Sequence, residues 1–277
     1  MIEQYINYLR NIKGYSENTA LSYEKDIRHF IGWAKAHIEG ARWSTITRTH
    51  LDQYITELAE QGLKPATTNR RLSAIAGLYR FFIREGYKVE NPCHYESRRK
   101  VAETIPNTIP PDQLKTAWEH SYGAVRVMLG LLSSTGIRIQ ELLDLTWDDI
   151  DFDTQALRIH GKGRKERIVY TLPEHLEVLQ NLNGMQPQSG RIFPIEQRQA
   201  RRMIFDALRP YCNAKQLSPH AIRHTFATHA ATMGANVTTI SQTLGHKQLE
   251  TSQKYIDMTA APVREMCQQY NMFNPQK

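Results

Sequence analysis

Apolar and polar positions alternate with the period of an α-helix through the first 86 residues of the chain. Apolar side chains recur every three or four residues in four stretches, as they do where one helix face is buried. Ser16 and Thr47 stand where the second and third helices need N-caps, and Pro65 suits the first turn of the fourth. Short connections between four amphipathic helices predict a compact bundle.

A polar, basic and proline-interrupted stretch follows this bundle and is typical of a linker. Beyond it the pattern is again mostly helical. The exception is a pair of alternating segments, Leu157–His160 and Ile168–Tyr170, around a glycine-rich turn, which predicts a β-hairpin. We therefore expect a mainly α protein with a helical-bundle N-terminal domain over 1–90, a linker over 91–110 and an α-rich domain with a small antiparallel β-sheet over 111–277.

The net charge of +7 and the isoelectric point of about 9.3 favour a polyanionic partner such as nucleic acid. Residues 1–100 hold most of this excess, with 16 Lys and Arg against 11 Asp and Glu. No run of 18 apolar residues exists, so no membrane partner is expected. Three widely spaced cysteines do not suggest a disulfide framework, which favours a cytoplasmic location.

The start of the fourth helix mixes cations with short polar side chains. Such a mixture suits phosphates and base edges, although a solvated charged face is the plainer interpretation. We predict that this helix contacts a DNA groove. The candidate contacts are Lys64, Thr67, Thr68, Asn69, Arg70 and Arg71.

The turn of the predicted hairpin places Lys162 between Gly161 and Gly163. Two glycines allow the backbone to approach a ligand closely, and a lysine there is a mobile cation. Arg164, Lys165 and Arg167 add positive charge. A charged surface turn would look the same, so the pattern indicates a phosphate partner without proving chemistry.

Arg138 follows a very apolar helix, Val125–Ser134, and precedes Glu141 by three residues. An arginine at the edge of a buried helix pair needs a partner, and Glu141 lies within reach at that spacing. The pair is either a structural ion pair or a phosphate-binding fork that a carboxylate orients.

Ser218 and Pro219 predict a helix start that carries His220, Arg223 and His224. Backbone N–H groups at such a start favour an anion. His220 and His224 also have the spacing of two metal ligands, but no third ligand stands at a characteristic distance. We therefore expect no metal site.

Tyr255 follows the turn Thr243-Leu244-Gly245-His246 by about the length of a helix. Most of the 13 tyrosines are expected to be packing residues. The gap after the turn would allow a separate helix to deliver Tyr255 to a site.

Taken in order, these motifs resemble the tyrosine recombinase family, also called phage-integrase-type recombinases, and in particular its small two-domain Xer type. The resemblance extends over nearly the whole chain. It depends on Thr-Gly-Ile-Arg-Ile-Gln-Glu-Leu at 135–142, Gly-Lys-Gly-Arg-Lys-Glu-Arg at 161–167, His-Ala-Ile-Arg-His at 220–224, Leu-Gly-His at 244–246 and Tyr255.

The resemblance implies a site-specific recombinase that joins DNA to Tyr255 through a 3′-phosphotyrosyl bond. It implies that Arg138 and Arg223 bind the scissile phosphate, with Glu141 supporting them. Lys162 would be the general acid, His220 would assist proton transfer and His246 would hydrogen-bond the phosphate. The first domain would be a SAM-like core-binding domain.

The same resemblance implies double-stranded DNA with inverted-repeat half-sites as the partner and no cofactor. It implies a homotetramer on two duplexes, with a monomer or dimer when free. It also implies a C-terminal tail helix that docks on a neighbouring subunit, although the residues alone equally fit a helix packed on its own domain. Three alternatives stay open: a type IB topoisomerase, a DNA-binding accessory protein with an inactive site, and a metal-dependent nuclease. The target sequence and the biological role are open too.

Overall fold

A computed structural model describes residues 1–93, 98–100, 107–161, 166–182 and 189–245. The chain divides into two compact units, Met1–Thr104 and Ile105–Lys277. The finer division, with domains over 1–90 and 111–277 and a linker between them, stays a prediction. Five of the predicted functional residues and the predicted tail helix lie outside the described residues. The five are Lys162, Arg164, Lys165, His246 and Tyr255.

The first unit is a bundle of α-helices. They are α1 (Ile2–Asn7, continued by a π-helical turn over Tyr8–Ile12), α2 (Glu17–His37), α3 (Arg48–Glu60) and α4 (Pro65–Arg84). Ser16 caps α2 by accepting the Thr19 N–H at 3.4 Å. Thr47 and His50 cap α3 reciprocally, at 3.4 and 3.1 Å. These caps and the proline start of α4 confirm the predicted starts of the helices.

The second unit consists of further helices and one small β-sheet. In chain order it contains α5 (Pro111–Glu119), α6 (Gly123–Thr135), α7 (Ile139–Asp144), a 3₁₀ turn (Trp147–Asp149), β1 (Ile150–Asp151), β2 (Ala156–His160), β3 (Glu166–Tyr170), α8 (Pro173–Leu182), α9 (Gln197–Leu208), α10 (Pro219–Thr232) and α11 (Val237–Leu244). The strands form an antiparallel sheet in the order β1-β2-β3. His160 pairs with Glu166 at the end of the predicted hairpin. The mainly α fold with a small antiparallel sheet is confirmed.

Helix α6 forms the centre of the second unit and is buried from Val127 to Thr135. It contacts α8, α9 and α10. The hydroxyls of Ser133 and Ser134 donate to carbonyls of their own helix, Leu129 O at 2.7 Å and Gly130 O at 2.8 Å, so burial leaves neither unpaired. The helix ends at Gly136, whose φ of +62° turns the chain out of the core toward Arg138.

Candidate active site

Arg138 and Glu141 form the predicted pair at the start of α7. Arg138 is the N-cap residue, and its backbone N–H donates to Glu141 Oε2 at 2.8 Å. Its guanidinium Nη1 donates to Glu141 Oε1 at 2.9 Å. The carboxylate therefore binds both ends of the same arginine, which fixes the direction of the side chain. Glu141 is buried, whereas 46% of the Arg138 side chain is exposed and can meet a ligand.

A second arginine, Arg167 on β3, binds the same carboxylate. Its Nη1 donates to Glu141 Oε1 at 3.1 Å and its Nη2 to Glu141 Oε2 at 2.8 Å. This is the bidentate geometry in which a guanidinium matches a carboxylate best. Burial by itself raises the pKa of Glu141. The hydrogen bonds and charge of Arg167, with the hydrogen bonds from Arg138, outweigh burial and lower the pKa, so Glu141 is ionised at neutral pH.

The carboxyl end of α11 supplies three carbonyl acceptors to the same cluster. Arg167 Nε donates to Thr243 O at 2.7 Å. Arg138 donates to Leu244 O and to Gly245 O, both at 3.3 Å. The last carbonyls of a helix have no partner within it and carry partial negative charge. The end of α11 is thus an acceptor surface for guanidinium groups.

Arg223 on α10 completes the cluster from within the core. Ser218 caps α10 by accepting the Ala221 N–H at 3.2 Å. Arg223 lies one turn into the helix and is 5% exposed. Its Nη1 donates to Gly136 O and its Nη2 to Leu244 O, both at 2.7 Å. Arg138 and Arg223 therefore share Leu244 O as an acceptor and lie next to each other.

Positive charge exceeds negative charge in this cluster. Three guanidinium groups, on Arg138, Arg167 and Arg223, face the single carboxylate of Glu141. Burial and the neighbouring charge of Arg138 lower the pKa of Arg223 to about 10, with Glu141 opposing that shift and Arg167 adding to it. Arg223 still carries its charge at pH 7. A bound anion would therefore stabilise the cluster electrostatically.

His220 lies one turn before Arg223 at the start of α10, and its ring packs edge-on against His224 with centroids 4.3 Å apart. Partial burial and the positive potential of its neighbours, His224 and Arg223 first, lower the pKa of His220. The imidazole is therefore neutral at pH 7 and can accept a proton. Arg201, an exposed residue of α9, adds to that positive potential.

The spacing of residues predicts only added positive charge at Arg167 and does not indicate its part in this cluster, and it gives no indication of Arg201. Arg201 is the exposed neighbour of Ala200, at the border of the buried stripe of α9 that Ala200, Ile204 and Leu208 form. The three predicted catalytic residues that the structure describes, Arg138, His220 and Arg223, belong to one neighbourhood.

Gly136 allows Arg138 and Arg223 to meet, because its carbonyl binds Arg223 and its left-handed backbone leads into Arg138. A Cβ there would lie 2.5 Å from Phe226 Cδ1 and 2.8 Å from Leu244 Cδ2. We expect Gly136→Ala to lower the free energy of unfolding by about 2–5 kcal/mol, from backbone strain and overpacking together.

Gly234→Ala is the matched control for Gly136→Ala, because Gly234 has a φ of +90° and nothing within 4 Å of the added Cβ. It should cost only the strain of the backbone, about 1–2 kcal/mol. Urea denaturation of both variants measures the difference. Equal losses would contradict the close packing around Gly136.

The predicted DNA-contact helix, α4, needs two corrections. Thr68 is fully buried and cannot offer its hydroxyl to DNA. The Asn69 side chain binds the backbone of Arg99, donating to its carbonyl at 2.8 Å and accepting its N–H at 2.9 Å, so its amide is already engaged. Both side chains therefore take part in the packing and hydrogen bonding of the first unit, and neither offers a free polar group to a DNA groove.

Arg70 and Arg71 of α4 both pair with Asp26, a buried carboxylate on α2. Arg70 donates to Asp26 and keeps 44% of its side chain exposed. Arg71 turns inward toward His29 and Tyr54 and is only 16% exposed. Lys64 is exposed and Thr67 is half-buried, so these two and Arg70 stay the better candidates for DNA contact.

Within the ranges that the structure covers, no group of three or more His, Cys, Asp or Glu side chains is placed to hold a metal ion. No helix in those ranges has the length and apolar character that a membrane crossing requires.

Comparison with known proteins finds a matching family model for each of the two units. Residues 108–261 match the phage integrase family, and residues 2–86 match the N-terminal SAM-like domain of phage integrases. The tyrosine recombinase XerD of Oceanobacillus iheyensis is 29% identical over 98% of this chain and 97% of its own length. XerD of Haemophilus influenzae is also 29% identical, with the same coverage of both chains.

Solved structures share the fold at lower identity. The Tn1549 transposon integrase in complex with a circular intermediate DNA has a TM-score of 0.69 at 17% identity, covering 92% of this chain and 93% of its own. A dimer of lambda integrase bound to a core site has a TM-score of 0.68 at 18% identity, covering 93% and 98%. With its catalytic-domain match extending over more than half of its length, the chain belongs to the phage integrase family, the tyrosine recombinases.

Proposed function

We propose that this protein is a site-specific DNA recombinase that cuts and rejoins DNA through a 3′-phosphotyrosyl intermediate. The observation that carries the proposal is the shared acceptor of Arg138 and Arg223. Leu244 O holds the two guanidinium groups side by side, at 3.3 and 2.7 Å, within a cluster that has an excess of positive charge. The family to which the chain belongs supports the same activity.

Arg138 and Arg223 would bind the two nonbridging oxygens of a scissile phosphate. Negative charge increases on these oxygens as the attacking and leaving groups pass through the transition state. Guanidinium groups that are already in place stabilise that state more than the ground state, without reorganisation at the moment of reaction. Glu141 would hold Arg138 in position through its two bonds to that residue.

Tyr255 would attack phosphorus through its phenolic oxygen. A bond from that oxygen to phosphorus forms, and the bond from phosphorus to the 5′ oxygen of the next nucleotide breaks. His220, whose neutral imidazole can accept a proton, would assist removal of the phenol proton. Lys162 would donate a proton to the departing 5′ oxygen, and His246 would hydrogen-bond the phosphate.

Religation is the reverse of cleavage, with a 5′ hydroxyl as the attacking group. The phosphodiester becomes a phosphotyrosine, so the bond energy is kept and strand joining needs no nucleotide cofactor. We accordingly propose that neither ATP nor a divalent metal takes part.

Double-stranded DNA with inverted-repeat half-sites would be the substrate, and a homotetramer on two duplexes the active assembly, from a monomer or dimer in the free state. The lambda integrase structure, a dimer bound to a core site, supports a multimer on DNA. The tail after Tyr255 would dock on a neighbouring subunit. A cytoplasmic location and a role in the movement of a mobile genetic element stay predictions.

The first unit would grip DNA outside the cleavage site. Its exposed cations include Lys64 and Arg70 of α4 and two residues of the basic segment that follows, Arg98 and Lys100. Thr67 is placed near Lys64 at the start of the same helix. In the second unit, Arg164 and Lys165 of the hairpin turn would add backbone contacts. Loss of one phosphate contact should weaken binding and reduce its salt dependence.

Covalent capture of DNA tests the proposed function. A pool of random duplexes with nicks beside variable positions is incubated with the purified protein in EDTA without ATP, and adducts that survive denaturation are sequenced. We expect adducts enriched in an inverted repeat, and strand exchange between duplexes that carry it.

Three outcomes would contradict the proposal in different ways. Absence of any adduct would indicate a binding protein with an inactive site. Adducts with plasmid relaxation but without strand exchange would favour a topoisomerase. Cleavage only with added divalent metal would favour a nuclease.

A further inference from the structure

We propose that Arg167 is a positioning residue for strand cleavage, which fixes the geometry of Arg138 and Arg223 without touching DNA itself; this inference rests on the proposed function. Its side chain is only 15% exposed. Each of its three side-chain nitrogens donates a hydrogen bond within the protein. Three of its five N–H groups are thus engaged, and its low exposure keeps a phosphate from the other two, which separates its role from that of Arg138.

The contacts of Arg167 join three elements that are far apart in sequence. Arg167 lies on β3, its fork binds Glu141 on α7, and its Nε binds Thr243 O at the end of α11. Arg138 and Arg223 then bind the next carbonyl along, Leu244 O. One side chain thus sets the distance between the carboxylate that orients Arg138 and the carbonyl that both phosphate-binding arginines share.

Close packing shows that the fork has little freedom. Gly245 has a φ of +64°, and a Cβ there would lie 3.1 Å from Arg167 Nη1 and 3.3 Å from its central carbon. The turn that ends α11 therefore packs directly against the guanidinium, whose fork is held by the carboxylate of Glu141.

Charge gives a second reason for this role. Glu141 is 8% exposed and must have its charge compensated. With Arg167 removed, Arg138 would be the only guanidinium that hydrogen-bonds Glu141 among the described residues. Arg138 would then be drawn toward the carboxylate and away from the phosphate. Thr243 O would lose the hydrogen bond from Arg167 Nε at the same time, which would loosen the end of α11. Both changes move the pair that binds the scissile phosphate.

Covalent adduct formation on the captured duplex measures the effect. We expect Arg167→Met to slow single-turnover adduct formation about 100-fold, the scale of a misplacement of about 1 Å at a reacting centre. The dissociation constant for the duplex should change less than about threefold. Arg167→Lys keeps the charge without the fork and should recover no more than about a tenth of the lost rate.

A double-mutant cycle with Glu141→Gln separates positioning from general damage to the fold. If Arg167 acts through Glu141, the double variant should react no more slowly than the worse single variant, within about threefold. Independent structural damage would multiply the two losses. Arg126→Met is the matched control. Arg126 stacks on Trp118 and donates to Glu119 O and Ser121 O, so its loss should lower stability without a specific loss of rate.

Hydrogen exchange of the backbone amides at 243–245 gives a readout that does not need the reaction. We expect Arg167→Met to speed exchange there at least tenfold, whereas Arg126→Met leaves it unchanged. Unchanged exchange at 243–245 in Arg167→Met would overturn the inference even if the parent protein formed no adduct. Faster exchange in a parent without adducts would instead leave the positioning intact and refute the recombinase function. Multiplicative losses, or full rescue by Arg167→Lys, would overturn the inference in an active parent.

Discussion

Replacing Tyr255 with phenylalanine should abolish covalent attachment of the protein to a nicked DNA duplex. The phenyl ring keeps the size and apolar surface of the tyrosine but has no oxygen to bond to phosphorus. Loss of a covalent nucleophile typically costs many orders of magnitude, and we expect a drop of at least about 10⁴-fold. Electrophoresis of the denatured protein with end-labelled DNA measures the adduct directly.

Binding must survive this change for the result to identify a nucleophile. We expect the dissociation constant of Tyr255→Phe to stay within about threefold of the parent value, because the arginine cluster remains intact. Tyr211→Phe is the matched control. Tyr211 stacks on His120 and belongs to none of the proposed catalytic contacts, so it should react normally. An adduct that persisted in Tyr255→Phe would assign the nucleophile to another residue.

Sequence spacing predicts contacts between residues that are close in the chain and misses contacts between residues that are far apart in it. Ser16 and Thr47 cap helices by binding residues three positions ahead, so the spacing was sufficient to find them. The pair of Arg138 and Glu141 has the same local character. The bond from Arg167 to Glu141 spans 26 residues, and the bond to Thr243 spans 76. Such contacts depend on the packing of whole elements, which no local spacing encodes.

Thr68 illustrates an error that the pattern itself could have prevented. Its polar side chain suggested a groove contact, but it lies on the same helical stripe as Leu72, Ile75 and Tyr79, which are buried. The period of 3.6 residues therefore places Thr68 inward. Asn69 differs, since its partner Arg99 lies 30 residues away, and only the path of the chain brings them together.

The arginine cluster also explains how a fold can hold like charges close together without DNA. Three guanidinium groups repel one another, yet a buried carboxylate and the carboxyl end of α11 offset that repulsion. The hydrogen bonds to Thr243 O, Leu244 O and Gly245 O keep the donors aligned. Much of the cost of orienting the arginines is met during folding, which would leave the proposed site ready for a phosphate.

Replacing Arg223 should therefore affect folding and chemistry together. Arg223→Met leaves Gly136 O and Leu244 O without that donor in a buried setting, at about 1–3 kcal/mol for each group. It also removes one cation from the proposed phosphate site, and loss of such a donor lowers rates by about 10²–10³-fold. We expect a lower free energy of unfolding in urea and at least a 100-fold slower formation of the adduct.

Arg223→Lys distinguishes the charge of Arg223 from its geometry. An ammonium group keeps the positive charge but cannot match the planar fork that binds two carbonyls and still faces a ligand. We expect partial recovery of stability and a rate that stays about tenfold or more below the parent. Arg191→Met, which breaks an exposed pair with Asp144 at 3.3 Å, is the control and should change neither quantity appreciably. A normal rate in Arg223→Met, measured where the variant is folded, would remove Arg223 from the phosphate site.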